Sequence, residues 1–455
     1  MVTLASARTA SMHARRPALT TAWLALIISP LIMWLVHHGL HQTLDRSQAA
    51  RTIALSAGLL ASIFMIVQVV LIARIPLLEQ TWGHDLLARR HRWLGFWSFW
   101  LMIVHITVET VEHLQRRPDA PRVALLDLFV WRWWLLLATI GSLLIAVVVV
   151  TSTRWARRKM RYETWHLVHL NAYVGMGFAL PHQILHGPDF HGAGAQFYWW
   201  TTYSAAIAAI LTFRVGMPLY RSAFHRLRVD TVTFERPAVV SVTMSGRHLN
   251  QLRARSGQFF IWRFLDGPHW WHGHPFSLSD TPTDTALRVT VQACGDGSTR
   301  LAELRPGTRV AIEGPYGTMT LDRREKSHVV FLAAGLGIAP LRALISELQP
   351  EAGHAHLIYR CTLAEQQIFV DELDALADTT GVQVSYLTGP RRDESSWLPA
   401  GHTGDDVDVL SQLVPAISDS DVYLCGPAAW LRAARAAAIG AGVHRRHIHS
   451  EEFAW

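Results

Sequence analysis

Arg161–Gly187 reads RYETWHLVHLNAYVGMGFALPHQILHG. The run is long and apolar enough to be buried in lipid, yet it carries His166, His169, His182 and His186. Ionisable side chains inside a membrane span are costly, and those that persist pair with one another or mark a pathway. A second run, Arg90–His113, reads RHRWLGFWSFWLMIVHITVETVEH and carries His91 and His105. Two helices with two imidazoles each can meet twice, about one bilayer leaflet apart.

His91 and His105 are 14 residues apart, which is roughly 21 Å of helix and within about 40° of one face. His169 and His182 are 13 apart, a matching rise but roughly 140° off that face in ideal winding. Rewinding around Pro181, with Gly175 and Gly177 above it, is therefore expected. If the helices run parallel, His91 meets His169 and His105 meets His182. Such pairs suit the axial positions of two stacked haems, each six-coordinate and fitted to passing electrons. The competing reading is hydrogen-bonded histidines in a chain that holds 25 of them; near-equal spacing in two spans favours the ligands. His37, His38, His41, His84, His113 and His191 sit at span ends or in loops and are read as ordinary. His166 and His186 each lie about one turn from a proposed ligand.

The wider chain fits a membrane protein with a soluble half. It has 455 residues, 50% hydrophobic and 17% charged, with a net charge of +7. Its basic residues lie beside apolar spans rather than in one patch, which speaks for the positive-inside rule and against nucleic-acid binding. Three cysteines, Cys294, Cys361 and Cys425, exclude a four-cysteine cluster or a disulfide framework. The apolar run from Ala18 to Leu40 is too long for a signal-peptide core and lacks a prompt cleavage site; it reads as a first span. Five more follow near 52–73, 91–113, 130–151, 164–186 and 197–218, each close to the roughly 20 residues that cross a bilayer. Arg89, Arg90 and Arg92, then Arg154, Arg157, Arg158, Lys159 and Arg161, then Arg221, Arg226 and Arg228 flank alternate ends. Arg116, Arg117 and Arg122 run against this pattern without reversing it. Both termini are expected in the cytoplasm, with the third and fifth spans parallel.

After about residue 225 the texture changes. Val229–Met244 and Gln258–Phe264 read as strands. From Ser327, short apolar strands alternate with helical patterns, as in a parallel sheet with crossover helices. A small hydroxyl beside an aromatic in GHPFSLSD (Gly273–Asp280) can bond a flavin, and the turn GDGST at 295–299 can offer N–H groups to a diphosphate. Ordinary barrel turns explain both equally well. In AAGLGIAPLRAL (Ala333–Leu344), Gly335 and Gly337 let backbone approach a pyrophosphate at a helix N-terminus, although Pro340 breaks the GxGxxG pattern. Arg360 sits where an adenosine 2′-phosphate can be clamped, or is a plain surface arginine. The terminal Trp455 packs on a flavin or at a domain seam.

Taken in order, these strings resemble the membrane flavocytochromes of the ferric reductase and NADPH oxidase superfamily, from about the second span to Trp455. The closest likeness is to bacterial ferric reductase-like proteins with a ferredoxin–NADP reductase module. The resemblance implies two b-type haems held by His91, His105, His169 and His182, with YETWHLVH selecting His169 over His166. Its flavin motif matches His274, Pro275, Phe276 and Ser277, continued by Leu278 and Ser279, and its GD-x-[ST] segment matches Gly295, Asp296 and Ser298. On the nicotinamide side GPYG at 314–317, GLGIAP (Gly335, Gly337, Pro340) and CGP (Cys425, Gly426, Pro427) match. Ser277, Cys425 and Trp455 are the implied catalytic residues, Trp455 covering the flavin until nicotinamide displaces it.

The expected architecture is a six-helix haem bundle (1–225), a β-barrel FAD domain (226–325) and an α/β NAD(P)-binding domain (326–455). The expected activity carries electrons from cytoplasmic NAD(P)H, with NADPH favoured over NADH by Arg360, through FAD and two haems across the plasma membrane. The expected acceptor is an extracytoplasmic ferric or other metal chelate, a choice that the resemblance itself leaves open. A superoxide-generating oxidase and a membrane-tethered diaphorase are the alternatives. No DxDxDG loop occurs, so calcium gating is not expected.

Overall fold

The computed structural model describes residues 2–44, 49–187, 192–267, 270–292, 300–348 and 354–453. These fall into two compact units, one of Ala14–Arg214 and one of Val215–Trp455 grouped with Met1–His13.

The first unit is helical. Its elements are α1 (Val2–Leu44), α2 (Ala49–Leu71), the short α3 (Pro76–Trp82), α4 (His84–Arg116), α5 (Pro121–Leu126), α6 (Trp133–Thr151), α7 (Arg154–Lys159), α8 (Tyr162–His186) and α9 (Ala193–Ala209). Among the described residues, five helical segments are long and apolar enough to cross a membrane: Arg15–Val36, Ala49–Leu71, Leu86–Arg116, Trp133–Thr151 and Ala193–His225. The expected fifth span, α8, is not among them. Its 25 residues reach about 37 Å, but Glu163, Asn171, Gln183 and its histidines lower its apolarity. Leu143, Val150, Leu167 and Phe197 are largely exposed on this unit, the surface expected where hydrocarbon rather than water is the neighbour. Inside, Ile63, Ile66, Leu87, Leu94 and Trp199 form the main apolar cluster. Gly141 of α6 and Gly175 of α8 lie so close that a Cβ on either would strike the other's carbonyl, the small-residue packing by which membrane helices approach.

The second unit begins with α10 (Met217–His225) and holds two kinds of sheet. Strands β1 (Arg228–Arg236), β2 (Val239–Ser245), β3 (Phe259–Phe264), β4 (His274–Ser277), β5 (Ala286–Gln292) and β6 (Val310–Tyr316) are antiparallel, with the small helix α11 (Leu249–Leu252) between β2 and β3. The long strand expected over 229–244 is a hairpin, because Pro237 cannot donate to the ladder and Ala238 turns the chain at φ 64°. Where a barrel was expected there are two three-stranded sheets, β1-β2-β5 and β4-β3-β6. Isolated bridges at Arg228–Arg309 and Leu278–Val289 link them. Val242, Phe260, Trp262, Leu278 and Val289 fill the space between.

The rest is α/β, as read: β7 (His328–Ala334), α12 (Ile338–Ser346), β8 (Ala355–Cys361), α13 (Val370–Thr380), β9 (Gln383–Thr388), α14 (Asp406–Leu413), β10 (Ser420–Pro427), α15 (Ala428–Gly440) and β11 (Ile448–Phe453). All five strands are parallel, in the order β11-β10-β7-β8-β9. The order reverses between β7 and β10, so the ligand crevice lies beyond their carboxyl ends.

Candidate functional site

In the helical unit the four histidines singled out by spacing meet in two pairs. Ring centres of His91 and His169 are 6.1 Å apart, and those of His105 and His182 are 6.4 Å apart. N-terminal meets N-terminal, so α4 and α8 run parallel. Pro181 lies within α8, and the 13-residue interval delivers His182 to the same partner helix as His169. His166 lies beside Trp165.

The second nitrogen of each ring is also accounted for. Nδ1 of His91 bonds the Gln68 carbonyl (3.0 Å), that of His105 the Ala54 carbonyl (2.8 Å) and that of His182 the Ala179 carbonyl (2.6 Å). A carbonyl only accepts, so in these three rings Nδ1 carries the proton and Nε2 is the basic nitrogen. Nδ1 of His169 meets the Ser152 hydroxyl at 3.1 Å. Helix α2 thus orients both imidazoles of α4. It also makes room for one: a Cβ on Gly58 would come within 2.9 Å of the His105 ring.

Two imidazoles binding one ion from opposite sides, each nitrogen about 2 Å from it, set their ring centres roughly 6 Å apart. A fixed Nδ1–H is the usual support of a metal-bound histidine. Among the described residues no three His, Cys, Asp or Glu side chains group to hold a metal. Each pair would offer a metal two imidazole nitrogens.

In the second unit, β4 presents the HPFS string. Its ladder sets Ser277 against Phe259 and Phe276 against Phe260; the Trp262 indole donates to the Phe276 carbonyl (2.9 Å). His274 stacks on Phe276. Leu278 and Ser279 are fully buried. Ser279 accepts from Thr290 (2.8 Å), which meets Ser241 (2.7 Å), so its hydroxyl faces the protein interior. Gly295, Asp296, Ser298 and Trp455 lie outside the described residues.

At the crevice, Gly337 opens α12 against β10, and a Cβ there would collide with the Cys425 carbonyl. Only glycine permits that approach. Gly335 and Pro340 flank it on the same turn, and Gly426 packs on Ala334. Pro427 starts α15. Cys425 is fully enclosed; burial, then the nearby Glu451 charge, push its thiol well above the usual range, so it is neutral at pH 7. On the neighbouring strand Glu451 pairs with Cys425 and lies 3.2 Å from where a Cβ of Gly317 would stand, beside Phe259. Through these contacts the HPFS, GPYG and CGP strings converge.

Arg360 is mostly buried rather than on the surface, and donates to the Gly389 carbonyl at 2.8 Å. Burial and then the neighbouring Arg391 charge disfavour its charged form. Neither Arg391 nor the ion-pair cluster Asp280–Arg288–Arg342–Glu372 was legible in the sequence. In that cluster Arg288 and Arg342 both reach Glu372 (2.9 and 2.7 Å), and both pair with Asp280. Burial would raise the Glu372 carboxyl, but the Arg288 bond and both arginine charges hold it below its ordinary value.

Comparison with known proteins assigns the parts. Residues 57–180 match the ferric reductase like transmembrane component, 224–320 an FAD-binding domain and 331–436 the oxidoreductase NAD-binding domain. Ferredoxin–NADP reductase B of Sorangium cellulosum is 30% identical over 188 residues, 39% of this chain and 77% of that protein. The ferredoxin reductase component of 3-ketosteroid-9-alpha-monooxygenase from Mycobacterium tuberculosis is 30% identical over 211 residues, 45% of this chain and 56% of that protein. The chain thus spans only about half the length of this second relative. The FAD/NAD-binding domain of a Vibrio cholerae nitric oxide dioxygenase aligns with 50% of this chain and 98% of its own at 24% identity, TM-score 0.42. The protein is a membrane oxidoreductase with an FAD- and NAD(P)-binding reductase module. Its order of domains is the ferric reductase/NADPH oxidase-type architecture.

Proposed function

We propose that this protein carries electrons from cytoplasmic NADPH, by way of FAD and two b-type haems, to a ferric or other metal chelate outside the plasma membrane. The observation that carries the reading is the pair of histidine pairs, 6.1 and 6.4 Å between ring centres, with Nδ1 of all four rings engaged. When bound, the flavin takes hydride and releases single electrons, which the haems can accept one at a time.

The chain's own residues have definite tasks. His91 with His169, and His105 with His182, hold the haems, while Gln68, Ala54 and Ala179 keep each Nε2 basic. Gly58 supplies the space for the His105 ring. The Gly335–Gly337 turn and the start of α12 receive the pyrophosphate. Arg360 and Arg391 take the adenosine 2′-phosphate, which is the basis for NADPH over NADH. Ser277 borders the flavin, Trp455 covers its face, and the neutral Cys425 closes the crevice beneath the nicotinamide. The basic loops support cytoplasmic termini, and α8, the fifth in chain order, is a further span whose lower apolarity comes with its paired histidines.

An anaerobic absorbance spectrum of the detergent-purified protein with FAD, before and after NADPH, tests the reading. Low-spin bis-histidine bands at two haems per chain, reduced by NADPH, are expected. Absence of haem, or haem that NADPH cannot reduce, overturns it and leaves a tethered flavin reductase. Superoxide dismutase should not suppress chelate reduction in air; suppression would make the protein an oxidase.

A further inference from the structure

Three of the four imidazoles give their Nδ1 proton to a backbone carbonyl; Nδ1 of His169 instead meets the Ser152 hydroxyl. Ser152 caps the C-terminus of α6, its own N–H bonded to Val148 (3.0 Å). The Trp165 indole N–H also donates to the same Ser152 oxygen, at 3.4 Å. The Trp165 ring stands 5.0 Å from the His169 ring, and the Arg157 guanidinium sits over its face at 4.8 Å. The close Gly141–Gly175 contact fixes α6 against α8, so this arrangement is held by packing rather than by the serine alone.

We infer that Ser152 is the positioning residue of His169 and that, shared with Trp165, it makes His169 the least electron-rich of the four ligands. The inference rests on the proposed haem reading. A hydroxyl is a weaker acceptor than a peptide carbonyl, and one that already accepts from an indole is weaker still. The less an acceptor draws on Nδ1–H, the less electron density Nε2 gives to a metal, and hydrogen bonds of this kind tune both ligand basicity and reduction potential. The His91–His169 site therefore carries one strong and one weak donor, whereas the His105–His182 site carries two strong ones. The chain thereby has a handle on one haem that does not touch the other.

The test is an anaerobic potentiometric titration of the full chain in nanodiscs, with low-temperature EPR of the low-spin signals, for wild type, Ser152→Ala, Ser152→Thr and Trp165→Phe. Ser152→Ala should retain two haems per chain, move one midpoint upward and alter one EPR signal. Ser152→Thr, which keeps the hydroxyl, should restore both. Trp165→Phe keeps the ring but removes the competing N–H, so the same midpoint should move downward. Unmoved midpoints, or equal movement of both, overturn the inference, as does an upward shift in Trp165→Phe. Should Ser152→Ala fail to load haem, the direction of the Trp165→Phe shift decides alone. A wild-type chain without haem would instead overturn the proposed function itself, and the inference with it.

Discussion

Histidine means different things in the two units. In the helical unit, four rings from two helices face one another across 6.1 and 6.4 Å, their Nδ1 atoms held at the back. In the reductase module, buried histidines turn inward to partners of their own domain: His225 to the Arg247 carbonyl, and His447 and His449 both to Asp421. The Asp421 carboxylate, fully buried, also accepts the N–H groups of Glu325 and Lys326 (both 2.6 Å). An apolar bundle has few groups to satisfy an imidazole, so each one kept there needs a dedicated partner. A mixed sheet domain is rich in carboxylates and peptide groups, and a histidine inside it is soon absorbed into the framework.

The largest effect that would sharpen this contrast is loss of a pair. His105→Leu or His182→Leu should abolish reduction of a membrane-impermeant chelate and halve the haem content, while NADPH oxidation by a soluble dye stays within about twofold. Haem retained at two per chain would erase the distinction between the units. Next comes Asp421→Asn, which leaves two histidines and two peptide N–H groups around a neutral amide. A loss of about 3 kcal/mol of module stability is expected, read by urea denaturation, with the haem spectrum unchanged. Burial would raise the Asp421 carboxyl, but the His449 bond and the Lys326 and Glu325 N–H groups lower it below its ordinary value. Its contribution is therefore complete above the ordinary carboxyl pKa of about 3.9 and lost as pH falls through the lower folded value.

A smaller effect concerns the coenzyme. Arg360→Ala should reduce the preference for NADPH over NADH roughly tenfold, about 1.4 kcal/mol, seen in the ratio of the two kcat/KM values. An unchanged ratio would assign Arg360 to holding Gly389 alone. Smallest is Ser279→Ala, which should cost the module about 1 kcal/mol and leave its flavin content unaltered. Loss of flavin instead would mean that the Ser279–Thr290–Ser241 chain reaches the cofactor.

Much of this was legible from local pattern. The 14- and 13-residue intervals marked the four histidines, the alternating apolar runs marked β7 to β10, and GLGIAP marked the turn into α12. Less was legible where satisfaction comes from afar. HPFSLS read as one flavin string, yet Leu278 and Ser279 face the core because β4 ends at Ser277 and the chain passes to the other sheet at the Leu278–Val289 bridge. The closing strand β11 escaped notice because IHSEEF is polar and short; its place at the sheet edge comes from pairing with β10.

By itself the sequence determined the apolar spans, the turn glycines and which helices carry paired imidazoles, since these depend on residue type and helical rise within one segment. Only the tertiary structure decided that Gly58 makes space for His105 and that Ser152 stands behind His169. It likewise decided that Arg360 is drawn inward to Gly389. Each of these outcomes depends on a group 17 or more residues away, brought near by helix or strand packing; no local periodicity encodes which distant atom will satisfy a buried polar one.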